Sequence, residues 1–199
     1  MPEVWDFIGG DPCTVVAIID SGTDWQHEDI GNGSDSYNNL YHNTMEDSWT
    51  DPNDPTTGNG VDNDENGFID DWMGWDFENQ DNDSRPNTNS HGTMVAGIVS
   101  AKTHNTTGIS GVSGGLNNQG IRLMLIKIGE SAPIENVIND AILYAINNRA
   151  DVIQMSLGVV QSNAIDAAIQ LADNADIPVI CASGNNYSST INYPASNQN

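Results

Sequence analysis

The 199-residue chain carries 28 Asp and Glu against 5 Lys and Arg, a formal net charge of −23. That length suits one domain with a sizeable core, and the charge excludes nucleic acid and anionic membrane as partners, because phosphate recognition needs clustered basic side chains. No apolar run is long enough for a transmembrane helix, and none reads as a signal peptide.

Residues 1–12 read as a polar arm lying over the surface, with Trp5 and Phe7 as its apolar points. Val15-Val16-Ala17-Ile18-Ile19 is a continuous apolar run that stops at Asp20-Ser21-Gly22. Such a run predicts a strand buried on both faces, with Asp20 at the edge where open parallel sheets place their chemistry. Cys13 beside this strand and Cys181 in a later one are expected as buried, inert thiols rather than a disulfide. From Asp20 to Ser84 there are 18 Asp or Glu and no Lys or Arg. Solubility or a salty habitat is the plain account of such acidity; a run this dense also repels itself unless cations neutralise it, which favours calcium.

Residues 31–90 are rich in Asn, Asp, Gly, Ser and Pro, and are long for a connection inside one domain. Within them, residues 62–71 alternate oxygen side chains around Gly67, as in the first part of a calcium loop. The candidate ligands are Asp62, Asp64, Asn66, the Phe68 position, Asp70 and Asp71. Met73 stands where an EF-hand has its bidentate glutamate, so Asp70 or Asp71 would supply that carboxylate. An acidic turn without an ion is the alternative. Residues 72–77 then read as a short strand anchored by Trp72, Trp75 and Phe77.

His91-Gly92-Thr93 opens the next helical run, and an imidazole titrates near neutrality, which suits proton transfer. After a Gly- and Asn-rich connection over 104–120, residues 121–128 predict a second buried strand. Residues 134–149 carry a helical stripe introduced by Pro133 and Glu135. Residues 151–158 predict a third strand, 163–175 a second striped helix and 177–182 a fourth strand, ending in Ser183-Gly184-Asn185. Alternating strands and helices at this spacing argue a parallel sheet with right-handed crossovers. Asp20, His91 and Asn185 then all fall at element ends where one site could collect them. A carboxylate can orient an imidazole, the imidazole can take a proton, and an amide can stabilise an oxyanion.

In sequence order these segments resemble the subtilisin-like serine proteases, or subtilases. Residues 16–24 are similar to the family's aspartate motif, and residues 91–97 to its histidine motif, with Met94 where a second histidine is usual. Met155-Ser156-Leu157-Gly158 resembles the substrate-binding strand, and Ala182-Ser183-Gly184-Asn185 the oxyanion-hole segment. The resemblance covers residues 14–199. It implies a three-layer α/β sandwich with a mostly parallel central sheet, a single peptidase domain ending before the family's C-terminal part, and protein or peptide substrates. It makes Asp20 the orienting acid, His91 the general base and Asn185 the oxyanion donor. Ser156, Leu157 and Gly158 would pair with an extended peptide, and Ala182 and Gly184 would flank the primary specificity pocket. Tyr193-Pro194 falls where the family has a cis bond.

The same resemblance implies structural calcium. Asp29 matches a ligand position whose partners correspond to Asn105 and to the carbonyls of Thr107 and Ile109. Residues 62–71 match an acidic insertion of some secreted bacterial subtilases, and secretion is expected on the same ground. One part of the pattern is missing: the family's serine lies in a Gly-Thr-Ser-Met-Ala segment, and no such segment occurs here. The chain is therefore expected to be inactive alone, its nucleophile belonging to a missing C-terminal part of its own domain. The alternative is a catalytically inactive, calcium-dependent peptide-binding module. A nucleotide-binding sheet is disfavoured, because no Gly-x-Gly-x-x-Gly follows the first strand.

Overall fold

The structure, a computed structural model, describes residues 5, 9–31, 39–114, 120–130, 135–187 and 189–197. Its strands are Val15–Asp20 (β1), Gly74–Asp76 (β2), Arg122–Lys127 (β3), Val152–Met155 (β4) and Val179–Cys181 (β5). They form one sheet in the order β2-β3-β1-β4-β5, and every pair is parallel. The helices are His91–Ser100 (α1), Glu135–Asn147 (α2) and Asn163–Asn174 (α3).

Side chains alternate across a strand, so a central strand needs apolar residues at both parities. β1 shows this directly. Val15, Ala17 and Ile19 join one core with Met124, Ile126 and residues of α2 and α3, whereas Val16 and Ile18 join a second with Leu123, Leu125 and Ala96 of α1. Helices thus cover both faces, giving the expected three layers. β1 lies between β3 and β4, which places Asp20 at the centre of the sheet's C-terminal edge. Ser162 caps α3 by accepting from the backbone N–H groups of Ala164 and Ile165.

Several boundaries differ from the sequence expectation. β4 stops at Met155 rather than continuing to Gly158. Ala182 N–H still reaches Met155 O, but Val159 N–H turns to Tyr193 O, so residues 156–158 leave the sheet. Cys13 is exposed and Cys181 half-buried, both as free thiols. The expectation of a buried Cys13 therefore fails: the residue precedes β1 in a turn, where its N–H donates to Asp11 Oδ1. Most of the predicted N-terminal arm, Phe7 included, lies outside the described residues, as does Pro133. Within the arm, Trp5 Nε1 donates to Val112 O and its ring lies beside His104.

Aromatic rings, Trp25 and Trp49 buried and His42 and Trp72 half-buried, root the long acidic connection in the fold. His42 stacks on Trp72 at 4.4 Å, Trp72 meets Trp49, and Trp49 meets Trp25. Burial, aided by the Arg122 charge, pushes the His42 imidazole down to about 4. Below pH 6.5 an unfolded histidine takes up a proton that the folded one refuses. The associated stability is complete above that pH and is lost as pH falls towards 4, by about 3 kcal/mol in all. Urea unfolding between pH 7 and 4 is expected to show this loss, and His42→Phe to flatten it; equal slopes for the two proteins would contradict the assignment.

Candidate active site

The turn after β1 and the start of α1 are fitted to each other. His91 Nδ1 lies 2.7 Å from Asp20 Oδ1, which also accepts the Ser21 N–H at 2.7 Å. The Asp20 side chain is 5% exposed and that of His91 45%, so a buried acid holds an accessible base. An acid at Nδ1 makes it the protonated nitrogen of the neutral ring and leaves Nε2 as the proton acceptor. Gly92 permits this closeness: a Cβ there would lie 2.4 Å from Gly22 O and 3.0 Å from Asp20 Cβ. Gly22 itself has φ +105° and passes beneath the backbone of residues 84–86. Ser21 Oγ donates to Asn89 O and accepts from Gly92 N–H, so it is already engaged. Among the described residues no hydroxyl is bonded to His91.

The remaining sequence-predicted groups share the C-terminal edge of the sheet. Ser183, Gly184 and Asn185 line a cavity of ≈ 480 Å³ with Asn192. Gly184 adopts φ +112°, and a Cβ there would strike the Asn192 amide at 2.5 Å. Gly158 approaches the same amide. Asn192 thus packs against both glycines, a role no local pattern announced. Among the described residues, no backbone group of residues 156–158 is paired with another backbone group. Tyr193-Pro194 is cis.

The Peptidase_S8 family model, described as the subtilase family, matches residues 12–199. The chain belongs to the subtilase family. It is 30% identical over 196 residues to a thermophilic serine proteinase from Bacillus sp. strain AK1, covering 98% of this chain and 39% of that protein. It is 27% identical over 194 residues to the halolysin-like extracellular serine protease Nep from Natrialba magadii, covering 96% of this chain and 29% of the relative. The chain therefore spans well under half the length of these relatives. Among solved structures, the prenylagaramide maturation protease PagA matches with a TM-score of 0.62 at 20% identity, over 98% of this chain and 55% of that one, a likeness of fold.

In this subtilase the acidic loop gathers differently from its sequence pattern. Carboxylate oxygens of Glu46, Asp64 and Asp71 lie within 4.8 Å of one another. Asn43 Nδ2 donates to both aspartates, and Tyr144 OH of α2 donates to Asp71 at 2.7 Å. Burial raises the carboxyl pKa values of Asp71 and Glu46. Glu46 is 5% exposed, and its Oε2 is buried without a hydrogen-bond partner. The orphaned Glu46 oxygen beside two further carboxylates fits a hard cation such as calcium, which here needs the Asn43 and Asn66 amides turned to present their oxygens. Asp70 departs from the expected ligand set: its carboxylate accepts the N–H groups of Asn59 and Gly60. Asp62 likewise binds the amides of Asn66 and Gly67, while Asn66 Nδ2 donates to Asp64 and Asp71. Phe68 packs on Trp75, Phe77 and Tyr144.

The second candidate cluster also forms. Asp29 Oδ1 accepts from Asn105 Nδ2 at 2.5 Å and Oδ2 from Ile109 N–H at 2.8 Å. Thr107 N–H donates to Asn105 Oδ1. Gly108 is required between them, since a Cβ would lie 1.9 Å from Asp29 Oδ2. Both Asp29 oxygens are occupied by N–H donors, so a cation here needs the Asn105 amide turned to present its oxygen.

Proposed function

We propose that this chain supplies the orienting acid, the general base and the oxyanion donor of a serine endopeptidase, with the nucleophilic serine lying outside these residues. The 2.7 Å contact between Asp20 and His91 carries the reading. An extended peptide would lie along Ser156, Leu157 and Gly158, with its side chain entering near Ala182 and Gly184. His91 Nε2 would take the serine proton as the hydroxyl attacks the scissile carbonyl, then return it to the leaving amine. Asp20 would stabilise the imidazolium, and the Asn185 amide would donate to the oxyanion.

An open surface supports a place for the missing group. By alternation Ile180 of β5 lies on the α1 side of the sheet, and it is 51% exposed. Met94 and Ile98 of α1 are exposed as well. An element packed there would lie alongside the helix that His91 opens.

Calcium would be held by Glu46, Asp64 and Asp71, and by Asp29 with Asn105, Thr107 and Ile109, as a structural ion crosslinking loops. Action outside the cell is part of this proposal, by analogy with the Natrialba relative, whose name describes it as extracellular.

A fluorophosphonate probe tests the proposal, since it reacts with an activated serine. The isolated 199-residue chain is expected to remain unlabelled, whereas the same residues joined to a family C-terminal part that carries the Gly-Thr-Ser-Met-Ala segment label in a His91-dependent way. Labelling of the isolated chain contradicts the placement of the nucleophile. Failure of the joined protein to label favours a peptide-binding module without catalysis.

A further inference from the structure

We infer that Glu130 is a positioning residue for the Asp20–His91 pair, acting through Asn89; the inference rests on the catalytic reading of His91. Helix α1 lacks the usual means of fixing its own start. Ser90, its N-cap, makes no side-chain capping bond, and the first turn holds no acidic residue. Asn89 does that work from outside the helix, its Oδ1 accepting the His91 N–H at 3.0 Å.

Asn89 is in turn held by groups from two strand ends. Its carbonyl accepts from Ser21 Oγ at 3.1 Å, just beyond β1. Its N–H donates to Glu130 Oε1 at 2.8 Å, just beyond β3. Glu130 also accepts from Thr88 N–H and Thr88 Oγ, each at 2.5 Å. Gly129, at φ +101°, turns the chain that brings the carboxylate back over this segment. A closed circuit results: Asp20 binds Ser21 and His91, Ser21 binds Asn89, and Asn89 binds His91. Glu130 anchors the member of that circuit that lies in an irregular, solvent-facing segment.

The anchor is electrostatic as well as geometric. A carboxylate gathering backbone N–H groups forms charge-assisted bonds, stronger than neutral ones. The same bonds, that from the Asn89 N–H foremost, pull the Glu130 carboxyl down to about 2, so the anchor stays charged at neutral pH. Glu130 fills no core position, which separates its role from that of a packing residue.

The tautomer of the neutral His91 ring tests this, read by ¹⁵N NMR on the 199-residue chain. Asp20 favours the Nδ1–H form, so the wild-type ring is expected to be mainly in that form. Glu130→Gln is expected to move the ratio about fivefold towards Nε2–H, the scale of weakening one hydrogen-bonded contact, with the melting temperature almost unchanged. Glu130→Ala should move it at least as far. An unchanged ratio in both variants overturns the inference. So does a ratio that shifts only in step with a large fall in melting temperature, because Glu130 would then be a general structural clip. The readout needs no turnover, so a chain that proves non-catalytic still reports on the anchor.

Discussion

Asp20→Asn is expected to lower peptide-bond hydrolysis about ten-thousand-fold, the scale seen when a serine-protease triad loses its orienting carboxylate. The measurement is turnover in the active protein that contains these residues. The cause is specific. The carboxamide can still accept the Ser21 N–H through its oxygen, so the turn after β1 keeps one of its anchors. That same oxygen faces His91 Nδ1, but a neutral amide cannot stabilise the imidazolium as the carboxylate does. Asp20 Oδ2 makes no hydrogen bond, so the exchange breaks no other contact there. Melting temperature should therefore change far less than rate. A variant with near wild-type turnover would remove Asp20 from the mechanism.

The second large effect concerns the cation. Chelation is expected to lower the melting temperature by about 5–10 °C, since a site filled at a hundredfold excess over its Kd contributes about 2.7 kcal/mol and each kcal/mol shifts a domain of this size by about 2–4 °C. Asp71→Asn separates calcium from mere acidity. It keeps an acceptor for Tyr144 OH and removes one of three clustered charges. The calcium-dependent rise in melting temperature should shrink sharply, while the metal-free protein changes little, because relief of repulsion with Glu46 and Asp64 offsets the lost Asn43 bond at the Oδ1 position. A melting curve indifferent to chelator in both proteins would leave the loop an acidic turn without an ion.

Much of this organisation was legible in the residues. The β-branched run before Asp20 announced a doubly buried strand, because a central strand must be apolar at both parities. The glycine after His91 and the small residues of α1 suited a helix pressed against the β1 turn. The metal cluster was less legible, for a physical reason. Glu46 stands 18 residues before Asp64, and only the folded loop places them together. Asp70 looked like a ligand by spacing, yet its carboxylate satisfies amides that would otherwise lack partners. β4 was read too long because Ser156 and Leu157 suit a strand locally, while the pairing that ends it is made by Tyr193. Glu130 and Asn192 carried no signal at all, since each acts on residues distant in sequence.

A double-substitution cycle tests the central claim most directly. Turnover would be measured for Asp20→Asn, His91→Ala and the protein carrying both. If the two residues act as one unit, the double variant should be no slower than His91→Ala alone, itself slowed about a millionfold. Losses that multiply, with the double variant slowed by the product of the single effects, would mean that Asp20 and His91 act independently and would contradict the pairing on which this account rests.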